Sequence, residues 1–149
     1  NKSKKVMENF NTIRKDAFLY GYIDKNVPFP FVVYCGSSSR TSARESLTNE
    51  ELLEQVDLWH RKKGPAQFLK STKNGGKYAY TDWRRKLQFN FKDYAEDNWE
   101  IVFLSEPKDM TLEEHLTLEG DKIKELQSKG QALLNQDVDP LKSWRKYNS

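Results

Sequence analysis

Apolar residues occur in short bursts along this chain, separated by long polar runs. Ala17–Ile23 (AFLYGYI) and Phe31–Cys35 (FVVYC) are aromatic and aliphatic, and DKNVPFP joins them with two prolines. Bulky runs flanking turn residues predict two strands of a hairpin. Gly36 and the three serines behind it are predicted to end the second strand. Leu52, Val56 and Trp59 then recur at helical spacing, predicting a helix over residues 49–63. Thr48 and Glu51 have the spacing of a capping box, and Gly64-Pro65 stops the helix. A further helix is predicted over Thr81–Ala95, and a third strand over Trp99–Leu104 with a turn at Pro107-Lys108-Asp109. Thr111 and Glu114 repeat the capping spacing before a last helix that Gly130 ends. This order predicts an α+β fold, with a small three-stranded, mainly antiparallel sheet flanked by helices. Residues 1–16 read as an N-terminal extension, 17–135 as the domain, and 136–149 as a C-terminal tail whose Trp144 docks back.

The length of 149 residues sets one domain as the expected count, and no apolar stretch is long enough for a membrane helix. No apolar leader segment follows the basic start. The first residue is asparagine, which suggests a chain trimmed or excised from something longer. Cys35 is the one cysteine, so a disulfide framework and a multi-cysteine zinc site are excluded. That usage fits a reducing cytoplasm.

Net charge is only +3, but it is unevenly spread. Arg61–Lys86 holds nine basic residues against Asp82, a net of +8, whereas Glu96–Asp139 holds twelve acids and four bases, a net of −8. Trp59, Tyr78, Tyr80 and Trp83 interleave with the basic half. Such a segment suits a polyanion, whose counterions it would release; it equally suits an ordinary solvated face.

Two constellations carry candidate chemistry. Leu112, Leu116, Ile123 and Leu126 form the apolar stripe of the last helix, and Glu119 falls in its centre. A carboxylate there must reach solvent, pair with a cation or hold a metal. Gly120 beside it weakens the helix and makes sense where another backbone or a ligand comes close. In the hairpin, Tyr20 and Tyr22 share one strand face, and pairing can bring Tyr20 near Tyr34. The Gly36 turn, with its serines, Arg40 and Arg44, suits a phosphate.

Taken in order, these residues resemble the GIY-YIG nuclease family, most closely its phage homing-type members. Tyr20 stands in the first tyrosine slot (FLY), with Gly21-Tyr22-Ile23 as the competing match, and Tyr34-Cys35-Gly36 is the second motif half. Arg44 lies eight residues after the glycine, where the family has an arginine. Glu119, in LEGDKIKELQSKG, matches the metal-binding glutamate, and Asn135 the later asparagine. The family histidine slot holds Thr48 here, and His60 lies further on, past the capped helix.

The resemblance implies a metal-dependent DNA endonuclease with one Mg²⁺ or Mn²⁺ held by Glu119. Tyr20 would act as general base directly or through a relay, Tyr34 would orient water or phosphate, and Arg44 would stabilise the transition state. His60, Arg40 and Asn135 would assist by hydrogen bonding, with Gly36 and Tyr22 supporting. Double-stranded DNA would meet Arg40, Lys62, Lys63, Lys70, Lys73, Lys77, Arg84 and Arg85. A bacterial cytoplasm is the implied setting for a phage-encoded enzyme, and a homodimer stays open. The competing function is a non-catalytic nucleic-acid-binding module that keeps the fold.

Overall fold

The computed structural model describes residues 10–40, 46–58, 60, 96–132, 135 and 137–148. The hairpin forms, and both strands outrun their apolar cores. β1 spans Ile13–Asp24 and β2 spans Val32–Arg40. The serines therefore continue β2 instead of breaking it: Ser37 pairs with Leu19 and Ser38 with Phe18. Serine is a poor strand former, but a central partner strand supplies the ladder bonds and overrides propensity. β3 (Trp99–Phe103) pairs antiparallel with the second half of β1. β4 (Lys108–Thr111) pairs antiparallel with its first half, where a turn was expected. Among the described residues the result is a four-stranded antiparallel sheet built on β1, where three strands were expected.

Among the described residues, helices pack on both faces of the sheet. Residues 46–48 lead into α1, helical over 49–58 and at residue 60. Thr48 Oγ1 accepts from the Glu51 amide at 3.2 Å, and Glu51 accepts in return from the Thr48 amide at 3.0 Å, which completes the expected capping box. Leu52 of α1 is buried with Phe18, Tyr20, Tyr22, Val33 and Trp99. α2 spans Leu112–Ser128 under the Thr111–Glu114 box, and Gly130 follows in the left-handed region with φ 75°. Ile123 and Leu126 of α2 are buried with Val32, Cys35 and Ala132 on the opposite face.

A bulge in β2 makes this two-faced packing possible. Between Tyr22 and Ile23 the register steps from Tyr34 to Val32, so Val33 is the extra residue. Val32 and Cys35 would otherwise point to opposite faces. The outer edge of β2 is covered by the chain after α2. Val32 donates to Gln131 Oε1 at 2.9 Å and accepts from the Ala132 amide at 2.8 Å.

The C-terminal segment is helical where a tail was expected: α3 covers Pro140–Asn148 and packs on α2. Trp144 does dock back, with its ring 5.1 Å from Phe10. Gly120 is the point of close approach. A Cβ there would stand 3.2 Å from the Pro140 ring at Cδ, tighter than usual, and 3.5 Å from the Val138 carbonyl, an ordinary contact, so it is the start of α3 that approaches closely. The expected helix over 81–95 lies outside the described residues. No helix among the described residues is long and apolar enough to cross a membrane.

Candidate active site

Strand alternation aims Phe18, Tyr20 and Tyr22 at α1. Tyr20 pairs with Gly36 and Tyr22 with Tyr34, so three tyrosines gather on one face. Gly36 is required here, because any Cβ at that position would drive into the Tyr20 ring. The space it leaves lets the ring lie across β2.

His60, from the end of α1, enters this aromatic cluster. Its ring centroid lies 5.5 Å from that of Tyr20, 5.6 Å from Tyr22 and 5.9 Å from Tyr34. The Tyr20 hydroxyl and His60 Nε2 are hydrogen bonded at 2.5 Å. Thr48, by contrast, is committed to capping α1, so His60 is the group that reaches Tyr20. Burial pushes the His60 imidazole down to about 4 even though the Asp57 carboxylate favours its charged form. The ring is therefore neutral at pH 7, and Nε2 can accept the tyrosine proton in the Nδ1–H tautomer. Burial raises Tyr20 well above the usual tyrosine range, and the neighbouring Tyr34 and Glu119 add to the rise.

Glu119 comes from the other side of the sheet. Ser37 pairs with Leu19 and so faces α2, where its hydroxyl donates to Glu119 Oε1 at 2.7 Å. The side chain as a whole is half-buried, but its carboxyl end is desolvated. Desolvation lifts it to about 7, against the Ser37 bond, and the nearby Asp137 charge adds to the rise. Glu119 also helps to raise Cys35, whose thiol burial pushes up to about 12 and keeps unreactive at neutral pH. The negative field of Glu119 thus reaches both Cys35 and Tyr20. Among the described residues, no three His, Cys, Asp or Glu side chains converge as a metal cluster. A cation at Glu119 would rest on one carboxylate and neighbouring oxygens.

Asn135 is a backbone clamp. Its Oδ1 accepts from the Cys35 amide and its Nδ2 donates to the Cys35 carbonyl, both at 2.8 Å. Both groups are buried, and the pair fixes the β2 segment that carries Tyr34 and Gly36.

A cavity of about 420 Å³ opens beside Tyr20 between β1, β2 and α1. Its described lining includes Phe18, Tyr20, Ser37, Arg40 and Gln55. Arg40 is bound to Asp16 through its Nε at 3.0 Å and through Nη2. Of the expected site residues, the structure thus gathers Tyr20, Tyr22, Tyr34, Gly36 and His60, sets Glu119 and Asn135 against the same stretch of β2, and leaves Arg40 at the cavity. Arg44, Lys62, Lys63, Lys70, Lys73, Lys77, Arg84 and Arg85 lie outside the described residues.

Sequence reasoning missed Asp57 and Asp16. The Tyr22 hydroxyl donates to Asp57 Oδ1 at 2.8 Å. Asp57 lies three residues before His60, a spacing that shares a helix face and could have flagged it. Asp16 carries no such local signal. No family model, curated protein or solved structure matches the chain.

Proposed function

We propose that this protein is a metal-dependent DNA endonuclease that hydrolyses phosphodiester bonds. The observation that carries the reading is the buried Tyr20–His60 hydrogen bond beside an open cavity, with the Glu119 carboxylate acting across β2. The ordered resemblance to GIY-YIG nucleases supports it.

Hydrolysis needs a proton removed from water, charge neutralised on the phosphoryl oxygens, and help for the leaving oxygen. Tyr20 is too basic as an anion to exist free at pH 7, so it works as a relay. Its oxygen takes the proton of the attacking water while its own proton passes to neutral His60 Nε2. Tyr34, in the same cluster, orients the water or the phosphate. Asp57 lies close enough to favour the imidazolium that forms. The resemblance assigns the phosphoryl oxygens to Arg44, whose guanidinium would offer them two parallel donors.

A single Mg²⁺ or Mn²⁺ fits the donor set at Glu119. The donors are a desolvated carboxylate and the Ser37 hydroxyl, both hard oxygens, and the site draws further negative charge from Asp137. Such an ion, when bound, neutralises phosphate charge and favours deprotonated neighbours. With Glu119 as the one carboxylate anchor, the protein alone would hold such an ion weakly.

The test is nicking of supercoiled plasmid in Mg²⁺ or Mn²⁺. Wild type is expected to nick and linearise DNA, and EDTA to stop it. Tyr20→Phe, Glu119→Ala, His60→Ala and Arg44→Ala each should slow it by about a hundredfold or more. A wild type that binds DNA without cutting makes the chain a binding module, and full activity in Glu119→Ala overturns the metal assignment.

A further inference from the structure

β1 contains one extra residue against both of its neighbours at the same place. Lys15 pairs with Arg40 and Phe18 with Ser38, three steps on β1 against two on β2. Arg14 pairs with Met110 and Ala17 with Lys108, again three against two on β4. Asp16 lies within this bulge with φ 49°, a conformation most side chains avoid. Its amide donates to Asp109 Oδ1 at 3.2 Å, and Asp109 Oδ2 also takes Lys15 Nζ at 3.1 Å. The bulge turns the Asp16 carboxylate to the cavity wall, where Oδ2 accepts both Nε and Nη2 of Arg40.

A simple surface ion pair needs none of this. Asp16 and Arg40 side chains are only 33% and 21% exposed, and both line the cavity that holds Tyr20. The same wall carries Ser38 and Ser39, while the Ser37 hydroxyl is turned to Glu119 on the other face, and the facing helix contributes Gln55. Ser38, Ser39 and Gln55 offer donors for anionic oxygens. A guanidinium already fixed on one edge loses less side-chain freedom when it binds an anion.

We propose that this cavity seats a phosphodiester of duplex DNA adjacent to the cleaved one, that Arg40 binds it, and that Asp16 is the positioning residue that aims Arg40. The proposal rests on the nuclease reading for the identity of the anion, and on the bulge, the ion pair and the cavity for the seat. Two effects of Asp16 have opposite signs. As a bare negative charge it repels DNA, so its removal tightens binding. As the anchor of Arg40 it helps binding, so its removal weakens it.

The experiment measures binding of a fluorescent DNA duplex to the full chain by anisotropy in EDTA, over a range of salt. Asp16→Asn keeps the size and the tolerance of positive φ. It is expected to weaken binding by about fivefold to tenfold, despite making the protein more positive. Arg40→Ala should weaken it similarly and lower the slope of log K against log salt by about one. Arg40→Lys, which keeps the charge but not the fork, should recover only part. In the Arg40→Ala background only the charge effect remains, so Asp16→Asn should leave binding equal or slightly tighter. Equal or tighter binding by Asp16→Asn alone overturns the proposal, as does a loss that persists without Arg40. A wild type that binds no duplex overturns both the seat and the nucleic-acid reading. A wild type that binds but does not cut in Mg²⁺ overturns the nuclease reading alone.

Discussion

Stability should depend on pH through His60 in a direction set by its burial. The ring is 4% exposed, and burial holds it at about 4 against an ordinary 6.5. Below pH 6.5 the unfolded chain takes up a proton that the folded chain refuses until about pH 4. The unfolded state therefore binds more protons in that window, and stability falls as pH drops through it. Integrated from pH 7.5 to pH 4.5, the shift amounts to about 2–3 kcal/mol. Wild type alone cannot isolate this amount. His115 is also depressed by burial and acts in the same direction, while Glu119 is raised and acts in the opposite one. The comparison with His60→Gln removes those shared contributions. Urea unfolding at several pH values should show the wild-type advantage over His60→Gln shrinking by about 2–3 kcal/mol on acidification. A difference that stays flat within about 0.5 kcal/mol would refute the buried neutral imidazole, and with it the acceptor role for Tyr20.

The other predictions concern residues around β2. Asn135→Ala strands a buried amide and a buried carbonyl of Cys35, so it should cost about 2–4 kcal/mol in urea unfolding; a loss under about 0.5 kcal/mol would show that water replaces the clamp. Gly36→Ala forces the Tyr20 ring to move within its packed cluster and should cost about 1–3 kcal/mol, with loss of plasmid nicking; unchanged melting and activity would refute the close approach. Glu119, held at about 7 against 4.5, destabilises the fold increasingly as pH rises from 4.5 to 7. In EDTA, Glu119→Gln should therefore match wild type near pH 4 and exceed it by up to about 3 kcal/mol at pH 8. Millimolar Mn²⁺ should raise the Tm of wild type and not of Glu119→Gln, and equal shifts in both would place the ion elsewhere.

Local patterns determined much of this protein by themselves. The two capping boxes were legible because cap and partner lie three residues apart. The hairpin was legible because its strands are adjacent in sequence, and Glu119 because helical periodicity exposes a charge in an apolar stripe. Gly120 was readable as a close approach, though not its partner, Pro140 and the Val138 carbonyl. What lay beyond local pattern depends on pairings across the chain. β4 forms because Lys108–Thr111 meets the open first half of β1, some ninety residues away, and no propensity in KDMT announces that. The serines of β2 are strand residues only because Phe18 and Leu19 lie opposite them. His60 is placed on Tyr20 by the packing of α1 across the sheet, and that packing also decides its protonation. Asp16 owes its direction to a bulge that two neighbouring strands impose together. Residue types and short spacings state which groups can do chemistry. Only the tertiary structure decides which of them are desolvated, which face each other, and therefore which proton or anion each can hold.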